Sequence, residues 1–185
     1  MEYHNLKMYL KCVLLLVLAF SLADVAYAGT NQLVYYNWSE DTGNIIVDNS
    51  GHGNDGINYG STTFSLPTGQ VARNFNGKNR ITISGGEQLT LTDPHVTVGT
   101  FFRYNSGSPS RYTCLVSEGN NTFKIGINHT SSLITYEISA DNHKISGSSE
   151  SRVQPNKDYD VFLTYDGSHA QLYINGIASG KGVDY

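Results

Sequence analysis

Residues 159–176, YDVFLTYDGSHAQLYING, decide the fold of this chain. Apolar side chains recur at every second position from Val161 to Tyr165, which places them on one face of a β-strand. Asn175-Gly176 closes the stretch and favours a type I′ hairpin turn, because both central residues of that turn need a positive φ. Asp166-Gly167 predicts a second turn of the same kind. We therefore expect three consecutive antiparallel strands.

The same short alternating runs continue along the chain in both directions. They are separated by turn residues about every 8–12 positions, and no stretch has a useful helical periodicity. One-sided burial of this kind is typical of antiparallel sheets. The predicted fold is an all-β, two-sheet antiparallel sandwich. Its predicted strands are residues 32–38, 71–75, 80–84, 96–104, 112–118, 122–128, 133–138, 159–165 and 170–174.

The composition excludes several other classes of protein. Only 15% of the 185 residues are charged, and the chain holds 19 Gly and 13 Tyr, which is unlike a helical bundle or coiled coil. Its β-branched and aromatic content is too high for a disordered chain. The formal net charge of −4 gives nothing that would attract a phosphate backbone, so we expect no nucleic-acid partner.

Residues 1–28 have the organisation of a secretory signal peptide. Lys7 and Lys11 give a positive amino-terminal region, and residues 12–20 form an unbroken apolar run. Ala26-Tyr27-Ala28 then matches the small-x-small pattern that signal peptidase cleaves. The apolar run is about half of the ~20 residues that a bilayer crossing needs. We expect cleavage after the second Ala, no membrane span afterwards, and a secreted or cell-surface protein.

Removal of the signal leaves a single cysteine. Cys12 is lost and Cys114 remains, so the exported chain has no internal disulfide. Cys114 lies within the strand-like run YTCLVSE, where we expect a small buried hydrophobe. Without a Cys/His set at ligand spacing, a zinc site is not expected.

Four motifs stand in order along the chain. The glycine-rich loop VDNSGHGNDG occupies residues 47–56, and ARNFNG follows at 72–77. VTVGTFF stands at 96–102, and YDVFLTYDG leads to QLYING within 159–176. In this order, and over nearly all of the chain after the signal, the motifs resemble the LamG-like jelly-roll family, within the concanavalin A-like lectin/glucanase superfamily.

The resemblance implies a jelly roll formed by one domain over residues 29–185. Relatives continue into a closing strand beside the amino-terminal one, and no such segment precedes Tyr185. We therefore expect a domain that lacks its final strands and belongs to a longer multidomain protein. Since the strand at 32–38 would then have an unpaired edge, we expect poor solubility or strand swapping for this exact chain.

Catalytic motifs are missing from the sequence. The superfamily includes glycosidases and lyases, but the E-x-D-x-x-E pattern of its glucanases is absent, and so is the G-x-S-x-G elbow of serine hydrolases. Asp158 and Asp160 share strand parity, at a position that is normally structural in the family. We predict that the chain is not an enzyme.

Tyrosines on the predicted strands are the candidate ligand-binding residues. Sugars bind through aromatic faces together with amide and carboxylate hydrogen bonds, and Tyr104, Tyr112 and Tyr136 could each form such a platform. The alternative for each is a place in the core or on the sheet surface. The predicted function is a non-catalytic module that binds carbohydrate, or an extracellular protein, in adhesion or polysaccharide attachment. An accessory or catalytic domain of a polysaccharide hydrolase or lyase, and a structural cell-envelope domain, stay open as alternatives.

Calcium is the cofactor that the resemblance implies. Ca²⁺ takes six to eight oxygen ligands, and Asp48, Asn54 and Asp55 around the glycine-rich loop could supply some of them. The alternative is a loop held by Asx turns. No metal is assigned from the sequence.

Overall fold

The computed structural model describes residues 32–83, 95–105, 111–118, 123–140 and 143–184. These residues form strands and loops without a helix, which confirms the predicted all-β class. Accordingly, the described part of the chain contains no helix with the length and apolarity needed to cross a membrane. The signal peptide predicted at residues 1–28 lies outside the described residues. The single domain predicted for residues 29–185 stays a prediction.

The strands are numbered in chain order. They are β1 (Ile45–Ile46), β2 (Gly56–Tyr59), β3 (Thr62–Ser65), β4 (Val71–Asn74), β5 (Arg80–Ile83), β6 (His95–Tyr104), β7 (Tyr112–Ser117), β8 (Phe123–Asn128), β9 (Leu133–Ala140), β10 (His143–Arg152), β11 (Lys157–Asp166), β12 (His169–Ile174), β13 (Ile177–Ala178) and β14 (Val183–Asp184). Every pair of neighbouring strands is antiparallel.

The backbone divides into two compact units. The described part of the first unit, residues 32–74 and 80–83, holds a three-stranded sheet in the order β1-β2-β5 and the β3–β4 ribbon. Its buried apolar side chain is Ile46, and the polar side chains of Asp48, Asn54 and Ser61 are also buried. Among the described residues of this unit, the buried side chains are therefore mostly polar.

The second unit contains two larger sheets. One has the order β10-β9-β8-β7, and the other has the order β13-β12-β11-β6 with β14 paired to β12. Alternate residues of β8 and β9 pack against alternate residues of β11 and β12, so the two sheets form a sandwich around one core. This confirms the predicted two-sheet arrangement. The core consists of Ile125, Ile127, Ile134, Tyr136, Ile138, Ile145, Val153, Val161, Leu163, Tyr165, Ala170 and Leu172.

The hairpins after β11 and β12 were both predicted, although one turn type was wrong. Asn175 and Gly176 have φ of 52° and 77°, as a type I′ turn requires. Between β11 and β12 the positive φ of 92° belongs to Gly167, the first of two loop residues, and Asp166 stays in the strand. A glycine at the first loop position is typical of a type II′ turn. Asp166 instead accepts hydrogen bonds from the backbone of Ser168 and His169.

The strand predicted at residues 32–38 does not form. This segment is irregular, and its backbone is bound to the following loop: Tyr35 N donates to Asp48 Oδ1 at 2.9 Å, and Asn49 N donates to Tyr35 O at 2.7 Å.

Conversely, the sequence did not predict β10, which is a strand of ten residues. Its Ser-rich sequence hides the pattern because β10 is an edge strand, where polar side chains remain in water.

Cys114 is exposed, so the prediction of a buried residue is wrong. It pairs with Gly126, and the next residue, Leu115, packs against the core instead. A β-bulge follows, because Val116 rather than Leu115 pairs with Ile125.

Candidate functional site

The outer face of the five-stranded sheet gathers aromatic and polar side chains. Because Val161, Leu163 and Leu172 point into the core, the residues between them point away from it. Register places Phe162 between Gly99 and Tyr173, and Thr164 between Thr97 and Gln171. The groove face, as this surface is called below, consists of His95, Thr97, Gly99, Phe101, Asp160, Phe162, Thr164, Asp166, His169, Gln171 and Tyr173.

An aromatic platform lies at the centre of the groove face. A Cβ atom built on Gly99 would overlap the ring of Phe162, so the ring occupies the space that any other residue at position 99 would fill. Tyr173 continues the platform on the far side of Phe162. Phe101, two residues beyond Gly99 on β6, is 68% exposed. Phe101, Phe162 and Tyr173 therefore lie on the same outer face of three neighbouring strands.

Beside the platform lies a groove with a volume of about 490 Å³. It is lined by hydroxyl, amide, imidazole and carboxylate groups, and no Lys or Arg side chain is among them. Its lining residues are His95, Val96, Thr97, Thr164, Tyr165, Asp166, His169, Gln171 and Tyr173.

The ionised group of the groove is Asp166. Hydrogen bonds from the backbone N–H groups of Ser168 and His169, at 2.9 and 2.7 Å, lower the pKa of the Asp166 carboxyl to about 2. His169 Nδ1 lies 2.6 Å from Oδ1 of Asp184. At neutral pH the Asp166 carboxylate therefore gives the groove a negative charge, and no Lys or Arg side chain lines it.

Two carboxyl groups near the start of β11 have pKa values shifted in opposite directions. Hydrogen bonds from Arg103, at 2.6 and 2.7 Å, reach both oxygens of Asp158 and lower the pKa of that carboxyl. Burial raises the pKa of Asp160. Asp158 and Asp160 share the outer face of the strand, as their parity predicted. Arg103, however, donates hydrogen bonds to both oxygens of Asp158.

Tyr136 is excluded as a stacking residue. It is 2% exposed, its ring lies where a Cβ on Gly147 would be, and its hydroxyl donates to Ala170 O at 3.5 Å. The ring has no face open to a ligand, which corrects the sequence prediction for this residue.

The other two predicted tyrosines lie apart from each other. Tyr104 points inward at the end of β6, where its ring stacks on His129 with centroids 6.0 Å apart and its hydroxyl lies 3.2 Å from His129 Nδ1. Tyr112 lies over Gly126 on the outer face of the four-stranded sheet, with Lys124 Nζ 4.2 Å from the ring centroid. Burial raises the pKa of Tyr112 to about 12. The three tyrosines therefore do not form one site, and as ligand residues Tyr104 and Tyr112 stay predictions.

Asp48, Asn54 and Asp55, the predicted calcium ligands, form a hydrogen-bond network. Oδ1 of Asp48 accepts from the backbone of Tyr35 and Ser50, and Oδ2 accepts from Ser50 Oγ and Asn54 N, all within 2.8–3.0 Å. Asp55 Oδ1 accepts from Asp48 N, while Asn54 Nδ2 donates to a carbonyl. N–H and O–H donors occupy both oxygens of Asp48 and one oxygen of Asp55, so Asp48 does not fit a calcium site, and Asn54 and Asp55 as calcium ligands stay predictions. Across the described residues, no three His, Cys, Asp or Glu side chains gather as a metal site would require.

The sequence analysis named no groove-face residue as a candidate for ligand binding, although the alternation that places these residues on the outer face was present. Phe162 and Thr164 alternate with the core residues Val161 and Leu163, so period two already placed them on the opposite face. What was missing was the register, which brings Gly99 and Tyr173 beside Phe162.

The chain is similar to one family model and to a solved structure. The Laminin_G_3 family model, described as concanavalin A-like lectin/glucanases superfamily, matches residues 75–185. Among solved structures, the carbohydrate binding module CBM66 from Bacillus subtilis is similar, with 12% sequence identity and a TM-score of 0.44. That alignment covers 70% of this chain and 79% of the other. No curated protein sequence matches the chain.

Proposed function

The chain belongs to the concanavalin A-like lectin/glucanase superfamily, and on this basis we propose that it is a non-catalytic module that binds carbohydrate at the groove face. The observation that supports the proposal is the ring of Phe162, seated over Gly99 and continued by Tyr173. Phe162 and Tyr173 are partly exposed, and aromatic rings on an outer sheet face can stack on the apolar face of a sugar ring while nearby polar groups bind its hydroxyls.

The rest of the groove face suits an oligosaccharide. Thr97, Thr164 and Gln171 form one row across three strands next to the rings. Thr164 Oγ1 and Gln171 Nε2 already donate to backbone carbonyls, so these two side chains offer their oxygens as acceptors for sugar hydroxyls. The groove volume of about 490 Å³ falls in the range of roughly 300–1,000 Å³ that small-molecule sites have. Its lining residues hold no Lys or Arg, and the Asp166 carboxylate among them would repel a sulfate or uronate.

Calorimetric titration of polysaccharides and oligosaccharides into the protein tests the proposal. We expect Phe162→Ala and Tyr173→Ala each to weaken binding about tenfold, which corresponds to about 1.4 kcal/mol. Tyr112→Ala is the matched control, because it removes an aromatic ring from the outer face of the other sheet. Full affinity in both groove-face variants, with loss in the Tyr112 variant, would move the site to the four-stranded sheet.

Polysaccharide hydrolysis is the second candidate function, and the observation in its favour is the opposite pKa shifts of Asp158 and Asp160. The Cα atoms of residues two apart on a strand lie roughly 6.6–6.8 Å apart, and inverting glycosidases hold their two carboxyl groups about 6.5–9.5 Å apart, so side chains on one strand face can reach that separation. Against it, Arg103 holds both oxygens of Asp158. Release of reducing sugar by the wild type, abolished by Asp160→Asn, would establish the enzyme; binding without release supports the module.

We further propose that the protein is exported and acts in adhesion or polysaccharide attachment at or beyond the cell surface. The support is the signal-like organisation of residues 1–28. Amino-terminal sequencing of the exported protein should begin at Gly29. An intact Met1 on the exported protein, or retention in the cytoplasm, would contradict this. A structural envelope role would show instead as an exported protein without saccharide affinity.

A further inference from the structure

The first unit carries a strained tryptophan. Trp38 is the only Trp of the sequence, and its φ is +66°, in the left-handed region that bulky residues rarely adopt. Such strain persists only where neighbouring contacts impose it, and it concentrates at sites that bind or react. An outlier of this kind therefore directs attention to what the side chain faces.

Contacts on both sides hold Trp38 in place. The backbone N–H and the hydroxyl of Ser39 donate to Asn37 Oδ1, at 3.0 and 2.8 Å, and so fix the turn that follows the ring. The ring centroid of Tyr36 lies 5.7 Å from that of Trp38, and the Arg73 guanidinium carbon lies 5.8 Å from it. The indole is thus positioned by groups of its own unit.

Trp38 lines a second groove, with a volume of about 580 Å³. Phe64 of β3 lines the same groove and is 48% exposed. Hydroxyl groups surround the two aromatic side chains. The lining residues, all in the first unit, are Trp38, Asp41, Gly43, Asn58, Ser61, Thr62, Thr63, Phe64, Ser65, Val71 and Arg73.

The charged residues of this groove neutralise each other. Arg73 donates from Nε and Nη2 to Asp41 Oδ2, at 2.9 and 2.6 Å, and the two side chains are only 4% and 5% exposed. Asp41 Oδ1 accepts from Val47 N, and Arg73 Nη1 donates to Ser61 Oγ. The buried pair is therefore internally satisfied and gives the groove a rigid wall without net charge.

We propose that this groove is a second binding site for an uncharged saccharide, with Trp38 and Phe64 as its aromatic surfaces and the β3 hydroxyls as its polar partners. An anion or a cation finds no unpaired charge of opposite sign on this wall. A ligand with an apolar face and many hydroxyls fits both the rings and the serine and threonine groups. The proposal goes beyond the groove face, from which it differs in every residue.

The single tryptophan makes the site directly observable. Cellohexaose, maltohexaose, xylohexaose and a fructan are titrated into the full chain while Trp fluorescence is recorded. We expect a saturable change in emission with at least one of them, and about tenfold weaker binding in Phe64→Ala. Tyr59→Ala is the matched control, because Tyr59 is 45% exposed in the same unit and does not line the groove.

Calorimetry on the groove-face variants separates this proposal from the proposed function. In calorimetry, Phe162→Ala and Tyr173→Ala should each lose the binding at the groove face. Their Trp fluorescence titrations should match that of the wild type. If the emission change disappears in those variants, or is unchanged in Phe64→Ala, the proposal of a second site is contradicted. Only the groove-face site would then remain. If calorimetry shows unchanged binding in the groove-face variants while Phe64→Ala weakens binding, the proposed groove-face site is contradicted and the site at Trp38 is supported. Absence of binding by every saccharide overturns both.

Discussion

At the residue scale, the side of the sheet on which an aromatic ring lies decides what it can do. Tyr136 and Phe162 both lie where a glycine on the neighbouring strand leaves room, at Gly147 and Gly99. The first faces the core and is 2% exposed, whereas the second faces outward on the groove face. Similar local packing thus produces a core residue in one case and a candidate ligand surface in the other.

Tyr136→Ala should reduce stability and leave saccharide affinity unchanged. Truncating a large buried aromatic side chain costs about 3–5 kcal/mol through lost burial and the cavity left behind. Urea unfolding measures this cost. Tyr136→Phe is the control: it keeps the ring and loses only the hydroxyl, so we expect a cost of about 0.5–1.5 kcal/mol. A tenfold loss of affinity in a folded Tyr136→Phe protein would contradict the assignment to the core.

Asp48 should make the stability of the first unit depend on acid pH. Burial acts to raise its pKa, but the hydrogen bonds from Tyr35, Ser50 and Asn54 outweigh burial, so the pKa lies below its ordinary value. A carboxyl with a lowered folded-state pKa contributes stability that is complete above its unfolded value of about 3.9 and is lost as pH falls through the folded value.

Asp48→Asn tests this dependence. An amide nitrogen cannot accept the bonds from Ser50 Oγ and Asn54 N, so we expect a loss of about 1–3 kcal/mol at neutral pH. The difference from the wild type should shrink as pH falls below about 4. Urea unfolding at a series of pH values, followed by Trp38 fluorescence, measures it. A stability difference that does not change with pH would show that the charge of Asp48 does not contribute to the stability of the first unit.

At the element scale, the β12–β13 hairpin joins local sequence to sheet pairing. Asn175 has a positive φ and also accepts a hydrogen bond from Asp160 N through Oδ1, at 2.9 Å. The turn therefore connects β12 to the neighbouring strand β11 as well as to β13.

Gly176→Val should destabilise the second unit. At φ of 77° a β-branched side chain costs about 1–2 kcal/mol relative to glycine. Thermal unfolding measures the change. Gly182→Val is unsuitable as a control, since a Cβ there would meet the ring of His169. Ile177→Val, at a side chain that is 73% exposed, is the matched control and should change stability by less than about 0.5 kcal/mol. Equal stability of both variants would contradict the turn geometry.

At the scale of the whole molecule, the two units differ in how they are stabilised. The second unit has an apolar cluster drawn from both of its sheets, whereas the buried apolar residue of the described first unit is Ile46. Units with few buried apolar contacts open at lower free energy than those with a shared core. Trp38 reports on the first unit, because it is the only tryptophan.

The fluorescence of Trp38 should therefore change at a lower urea concentration than the far-ultraviolet circular dichroism, which the strands of the second unit dominate. Both signals are recorded on the same samples. Val161→Ala, in the core of the second unit, should lower the dichroism midpoint and leave the fluorescence midpoint in place. Coincident transitions in the wild type and in this variant would show a single cooperative unit instead.

The sequence by itself determined the all-β class, most of the antiparallel strands of the second unit, though not β10, and the positions of the two hairpins on either side of β12. Alternation in β8, β9 and β11 is local information, because a strand that buries one face must place apolar residues at every second position. Family membership followed from motifs of the same local kind. The strand predicted at residues 32–38 failed because alternation was present but the backbone found its partners in the loop around Asp48.

Tertiary structure alone decided which outward residues meet. Phe162 and Thr164 were known to oppose the core, but register across three strands is what places Gly99 and Tyr173 beside Phe162. The same holds for the pairing of Asp41 with Arg73, which stand 32 residues apart in the chain. Long-range contacts depend on how strands are ordered and aligned, and no local period carries that information.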